Sequence, residues 1–261
     1  MDASEYQNIF KNEDDHYYYV AVHDAVQQLV HEVLGDRKFV NILDAGCGTG
    51  WLASALKHFG QVDAIDMHEE AVKLSMLRGV HATRASIEDI PFPDNTFDLI
   101  TAIDVIYHRA VRDDSKALQE IFRVLKPGGW LIVRVPAHNA LRSSDDKLMH
   151  TARRYTVREV EQKLSDCYFQ LHKTSYCQAS LALPAWIKAK LEAKDPKPTQ
   201  TTVSPVNPIV NGALRLALKA ENKLLQAGVR FPVGTGVLAA ARKPIGTKST
   251  LRKFAAAGKL D

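Results

Sequence analysis

From Tyr19 to Leu34, apolar residues fall at Tyr19, Val22, Ala25, Val26, Leu29, Val30 and Val33, the spacing of a helix with one buried face. Gly35 offers its stop. A different rhythm follows. "VNILDA" (40–45) is a short apolar run without alternation, as in a strand covered on both faces, and a helix from Trp51 to Phe59 closed by Gly60 comes next. "VDAID" (62–66) is a second strand, and "EEAVKLSMLRG" is a helix with acids in its first turn and an arginine before its glycine stop. A third strand is expected at about 80–85, and "FDLITAI" (97–103) is a fourth. "DDSKALQEIFRVL" is a helix ended by "KPGG", and "WLIVRV" (130–135) is a fifth strand.

Strands alternating with helices predict an α/β core, a doubly wound parallel sheet with its ligand edge at the strands' C-terminal ends. Beyond it lies a polar, basic loop, "AHNALRSSDDKLMHTARRY". Thr156 and Glu159 then form a capping box for a helix to about Asp166. "YFQLHKTSYC" and "GVLAAAR" (236–242) are the sixth and seventh strand candidates. The expected organisation is an N-terminal helical lid (1–38), a core (39–177), an inserted helical lid (178–232), a last core strand (233–243) and a basic tail (244–261) expected to be disordered. Within the insertion, "KDPKPTQTTVSPVNP" reads as a linker and about 209–227 as a helix. Residues 1–13 are polar and expected to be mobile at their start.

Composition changes this picture little. The 261 residues carry a net charge of +4, too mild to argue for nucleic acid by itself. Cys47, Cys167 and Cys177 are an odd set without close pairing, which fits a reducing compartment better than a disulfide framework. No leader-like apolar run opens the chain and no segment is apolar enough to span a membrane, so the default expectation is a soluble cytoplasmic protein.

The candidate chemistry begins at "ILDAGCGTG" (42–50). No lysine follows it as in a phosphate-cradling loop, and Gly46-x-Gly48-x-Gly50 is one residue shorter than a dinucleotide fingerprint. Asp44 would repel a pyrophosphate and attract an ammonium group. Asp66, at the end of the second strand, is placed to accept from two ribose hydroxyls. Together they point to an amine-bearing nucleoside without phosphate, S-adenosylmethionine (SAM).

"ILDAGCGTG", "VDAIDMHEEAV", "ASIEDIPFPDNTFDLITAIDVIYH" and "EIFRVLKPGGWLIV" resemble, in order and spacing, a class I SAM-dependent methyltransferase of the broad ubiquinone/menaquinone type. The resemblance implies a seven-stranded Rossmann-like methyltransferase fold with S-adenosyl-L-methionine as cofactor. It places the cofactor on Gly46, Cys47 and Gly48, with Asp44 at its amino group, Asp66 on the ribose and Met67 on the adenine. Ser86, Ile87 and Glu88 would meet the adenine edge, and Ala102 to Asp104 the methionine moiety.

Methyl transfer to an alcohol or phenol also needs a proton removed. His108, just past the fourth strand, is the best-placed base by topology, with a structural hydrogen bond as the other reading; His138 and His150 are weaker candidates. His16 and Tyr17 to Tyr19 begin the first predicted helix, and His16, Tyr18 and Tyr19 are taken to line the acceptor pocket, or else to pack as a hydrophobic staple. The outer segments resemble a bacterial subgroup linked to polysaccharide and lipid-linked glycan biosynthesis, although Ala21-Val22-His23 stands where that subgroup has arginines. Arg153 and Arg154, beside Tyr155, would clamp an anionic acceptor or pair with Asp146. Glu221 falls on the apolar stripe of the 209–227 helix, so it must pair, with Arg153 or Arg154, or serve the acceptor or catalysis.

The expected activity is methyl transfer to an oxygen of a small molecule or of a glycan or lipid-linked intermediate. RNA methylation and a SAM-binding scaffold without catalysis are the alternatives. Peripheral membrane contact through Leu181–Ile187 and the basic tail is set against packing of those residues on the lid, with Pro184 interrupting them.

Overall fold

A computed structural model describes residues 1–194, 203 and 206–246. Among them, one sheet is built from β1 (Val40–Ala45), β2 (Gly60–Asp66), β3 (His81–Arg84), β4 (Phe97–Ile103), β5 (Leu125–Pro136), β6 (Gln170–Cys177) and β7 (Gly236–Arg242). The order is β3-β2-β1-β4-β5-β7-β6. β1 to β5 run parallel, and β7 enters antiparallel between β5 and β6. Strand order reverses between β1 and β4, and their shared C-terminal edge is where such sheets hold ligands.

The strands alternate as their side-chain period of two requires. Leu43, Ile65 and Ile100 face one layer, with Leu118, Ile121, Val160 and Leu164 from α5 (Asp114–Val124) and α7 (Val157–Asp166). Ile42, Ala64 and Leu99 face the other, against Val26, Leu29 and Val30 of α2 (Tyr17–Leu34), Leu56 of α3 (Trp51–Leu56) and Leu225 of α9 (Pro208–Gln226). Local chemistry fixes several helix starts. Asp113 accepts from the Ser115 and Lys116 N–H groups to cap α5. The Thr156–Glu159 capping box opens α7, and Asn207 caps α9 with Pro208 in its first turn. α4 (Glu69–Leu77) starts at His68, which accepts from Glu70.

Some sequence expectations are corrected. Residues 3–12 form a helix, α1 (Ala3–Asn12), whose Tyr6 and Ile9 are buried. α3 ends at Leu56, and Gly60 begins β2 rather than stopping a helix. It must be glycine for packing, because a Cβ there would lie 2.1 Å from the Val40 carbonyl oxygen. "KPGG" lies inside β5 and continues the strand. The basic loop after β5 holds a 3₁₀ turn at Asn139–Leu141 and a short α6 (Asp145–Leu148). Two helices, α8 (Ala182–Lys194) and α9, stand between β6 and β7. Most of the Pro/Thr-rich linker and tail residues 247–261 lie outside the described residues. No described helix is long and apolar enough to cross a membrane.

Two glycine substitutions test this packing in opposite directions. Gly60→Ala is expected to cost about 3 kcal/mol or more, since backbone must move. Gly212→Ala on α9, where a Cβ meets nothing within 4 Å, is expected to add about 0.5–1 kcal/mol. Urea unfolding of both variants reads the two signs.

Candidate active site

The backbone after β1 turns back on itself. The N–H groups of Gly46 and Cys47 both donate to the Ile65 carbonyl, at 2.7 and 3.0 Å, which pins the glycine loop across the end of β2. Gly46 takes a left-handed φ of 83°, and a Cβ on it would strike Val105 at 2.4 Å, so no other residue fits. The Gly48 N–H donates to Asp66 Oδ2 at 3.1 Å, and the His68 N–H donates to Oδ1 at 2.8 Å. Each oxygen thus takes one backbone donor and keeps a lone pair for a ligand. Burial raises the Asp66 carboxyl, and these two N–H groups oppose the rise.

Asp44 is deeper, 2% exposed, with Thr101 Oγ1 donating to it at 2.6 Å. Burial pushes its carboxyl up from 3.8 to about 6, and the Thr101 hydroxyl works against that. Among the described residues neither Asp44 nor Asp66 has a cationic side chain within ion-pair distance. Two such carboxylates beside a glycine cradle suit a ligand bearing an ammonium at one end and a diol at the other, as SAM does.

The turn between α1 and α2 closes over this end. Buried Glu13 accepts from Thr49 Oγ1 of the glycine loop at 2.8 Å and from Arg78 at 2.7 Å. Trp51 Nε1 donates to Asp14 at 2.5 Å, and the Trp51 indole stacks on His23 at 4.0 Å. Tyr6 of α1 lays its ring against His68 at 4.7 Å. Tyr6, Ile9 and Glu13 line the cavity. The sequence reading missed them, although Tyr6, Ile9, Phe10 and Glu13 already stand at helical spacing.

The cavity, about 670 Å³, runs from the glycine loop to a second end under α2 and α8. There Asp104, at φ 54°, forms an ion pair with Arg134, which is 2% exposed. Arg134 also donates to the Tyr18 hydroxyl at 3.0 Å and to Gln178 Oε1 at 2.8 Å. The Tyr18 hydroxyl, accepting from Arg134, has its own proton to offer the cavity; burial raises the phenol further above its ordinary value. His108 accepts at Nδ1 from the Ala110 N–H at 3.1 Å, and its Nε2 lies 3.3 Å from the Met1 amino nitrogen. Burial, the N-terminal ammonium and His150 push its pKa down to about 4.

The other sequence candidates divide. Asp44, Gly46, Cys47, Gly48, Asp66, Met67, Ile87 and Asp104 are brought to the cavity wall, as are His16, Tyr18, Tyr19, His108 and Arg154. Ser86, Glu88 and Ala102 are not among the lining residues. Both Glu88 oxygens accept backbone N–H groups, of Arg112 and Asp113, and so hold the loop before α5. Arg153 is occupied by the carbonyls of Val111 and Arg112, and the Tyr155 hydroxyl donates to Asp114 at 2.8 Å. Arg154 pairs with Asp146 through two hydrogen bonds, at 2.9 and 3.0 Å. The Glu221 assignment is overturned. Its carboxylate accepts from the N–H groups of Ala179 and Ser180 and from the Ser180 hydroxyl, away from the cavity and from both arginines. His138 stacks on Tyr176 instead.

Comparison with known proteins bears on the donor end. Residues 43–133 match the model of a methyltransferase domain. The ubiquinone/menaquinone biosynthesis C-methyltransferase UbiE of Psychromonas ingrahamii is 36% identical over 126 residues, 44% of this chain and 49% of that protein. UbiE of Vibrio cholerae is 35% identical over 124 residues, 43% and 47% of the two chains. The chain thus spans about half the length of the curated relatives it matches. Among solved structures, a SAM-dependent methyltransferase of Thermotoga maritima, possible histamine N-methyltransferase, superposes with a TM-score of 0.60. It is 18% identical, with 92% of this chain and 95% of that one covered. Fold, glycine loop and domain match define the core as a class I SAM-dependent methyltransferase domain, an enzyme domain whose cofactor is S-adenosyl-L-methionine. The glycan-linked subgroup is not among these matches.

Asp44 gives the site a pH signature. Only the ionised carboxylate attracts the cofactor's ammonium, so affinity is expected to fall as pH drops through about 6, with proton release on binding near that pH. In the unliganded protein the sign is reversed: the raised carboxyl contributes stability that is full below about 4 and lost as pH rises to about 6. Titration calorimetry across this range checks the first effect. Asp44→Asn should remove the pH step, and a step that survives in that variant belongs to another group.

Proposed function

We propose that this chain transfers a methyl group from SAM to an oxygen of a small, partly apolar acceptor. Supporting this is the continuity of one cavity from the glycine loop and its two carboxylates to an aromatic end at Tyr17, Tyr18, Tyr19 and Tyr107. When bound, the cofactor supplies a methyl carbon on a sulfonium, open to in-line displacement. The chain's own work is then alignment and exclusion of water. α1 and α2, tied down through Glu13 and Asp14, cover the donor end. The tyrosine rings and Leu141, Met149, Leu181 and Pro184 would hold an apolar body.

His108 acts in this reading as a hydrogen-bond donor to the acceptor rather than as its base. Its Nδ1 is taken by the Ala110 N–H, its Nε2 would turn to the acceptor in place of the Met1 amino group 3.3 Å away, and a pKa of about 4 makes it a weak base. Tyr18 is a second donor. Two donors and no strong base suit an acceptor that arrives ionised or ionises readily, a carboxylate or an acidic phenol. For such a nucleophile, positioning alone lowers the barrier.

A second reading is methylation at carbon. The UbiE relatives are named as C-methyltransferases, and an activated aromatic ring would fit the tyrosine-lined end. RNA as acceptor has no support from an aromatic cavity covered by a helical lid, and a scaffold role does not account for an acceptor-sized space beside the donor site.

Labelled-methyl SAM, offered with phenolic, carboxylic and quinol acceptors, separates these readings, because carbon NMR distinguishes a methoxy product from a C-methyl one. A C-methyl product would sink the oxygen reading. Asp66→Ala is expected to weaken cofactor binding at least about tenfold by calorimetry, the value of one or two charge-assisted hydrogen bonds; unchanged affinity would remove Asp66 from the ribose. His108→Gln keeps an N–H donor and is expected to retain most of kcat, whereas His108→Ala loses about tenfold or more. Equal losses in both would return the ring to the role of base.

A further inference from the structure

The residues of α8 meet three surroundings. Pro184, Ala185 and Lys188 line the cavity, and Lys188 is paired with Asp145 at 2.6 Å. Ala182 and Ala189 are buried. Leu183, Trp186, Ile187 and Leu191 remain, at 64, 44, 46 and 63% exposure. Their spacings of three and four put them on one side of the helix, next to the side that walls the cavity. Lys190 and Lys194 share that exposed side, and the Lys190 ammonium lies 5.8 Å from the centre of the Trp186 ring. The acid of this helix segment, Glu192, is turned inward to accept from the Ser144 N–H at 2.7 Å. The expectation that Leu181–Ile187 pack on the lid is therefore not met at Leu183, Trp186 and Ile187. Pro184, in the first turn of α8, does not break it.

We propose that this face of α8 docks on a bilayer surface carrying anionic lipid, and that docking sets the cavity beside the membrane to admit an amphiphilic acceptor. Three large aliphatic side chains and a tryptophan on one stripe match the depth at which an interfacial helix sits. The two lysines supply the opposite charge to lipid phosphates, and their stems can lie along the apolar surface while the ammonium groups stay in water. The link to the cavity follows from position: residues one step round the same helix form its wall. Docking stands on the exposed face alone; the admission of an acceptor rests on the methyl-transfer reading.

The full chain is mixed with vesicles of phosphatidylcholine alone or of phosphatidylcholine with phosphatidylglycerol, and sedimented. Wild-type protein is expected to pellet with the anionic vesicles, to be released by salt, and to stay in solution with the neutral ones. Ile187→Glu combined with Leu191→Glu is expected to lower the bound fraction about tenfold, and Lys190→Glu with Lys194→Glu to abolish the preference for phosphatidylglycerol. All four positions are exposed, so melting temperature and SAM affinity are expected to stay at wild-type values, which shows that each variant is folded. Wild-type protein that ignores both vesicle types, or variants that pellet as it does, overturns the proposal. So does a wild-type dimer that Ile187→Glu with Leu191→Glu dissociates in the absence of vesicle binding, since the face would then be a self-association surface. Because SAM affinity is measured separately, lost docking with intact SAM binding leaves the methyl-transfer reading in place.

Discussion

Arg134 carries its charge into the middle of the protein, and the groups that answer it come from three separate parts of the chain. Asp104 after β4 supplies the carboxylate, Tyr18 of α2 a hydroxyl and Gln178 an amide oxygen. Gly236 supplies room, since a Cβ there would come within 2.7 Å of the guanidinium. A buried guanidinium left unpaired would cost several kcal/mol. Asp104 and Gln178 both hold left-handed backbone, at φ 54° and 51°, to bring their side chains in. One desolvated cation thereby fixes where the N-terminal helices, the loop after β4 and the entry to α8 sit relative to the sheet. The end of the cavity away from the glycine loop is the space these constrained pieces leave above it.

The two ends of the cavity are made differently. The end at the glycine loop is built from that loop's backbone and from two acids, Asp44 of β1 and Asp66 at the end of β2, and this part of the chain is what the methyltransferase domain match covers. The opposite end joins Asp104, Tyr107 and His108 from within residues 43–133 to α2, residues 141–149 and α8, which lie outside them.

Legibility in the sequence followed the range of the interactions. Strand runs, caps such as Asp113 and Thr156, and the Asp44–Gly48 loop are written in neighbouring residues, and the structure has them where the pattern places them. Gly60 misled because a glycine needed for close approach to Val40 looks the same as one that ends a helix. Glu221 misled because its partners are backbone N–H groups at Ala179 and Ser180, which no side-chain pattern announces. Arg153, Arg154 and Tyr155 are consecutive, yet one binds carbonyls, one Asp146 and one Asp114. A three-residue motif cannot say which of its members will reach a cavity. The exposed stripe of α8 was ambiguous for a related reason: apolar spacing marks a face, and only the fold says whether anything covers it.

The placement of β7 has a consequence for synthesis. β5 is finished at Pro136, but the strand that pairs with its outer edge begins at Gly236, and β6 joins the sheet only through that same strand. While the intervening chain is being made, β5 presents a long, apolar and unpaired edge, and β6 has no neighbour at all. The nascent protein therefore passes through a stage in which its most aggregation-prone backbone is open to other chains. Closure waits for a strand of mostly alanine and valine, "GVLAAAR", which pairs with β5 on one side and brings β6 in on the other.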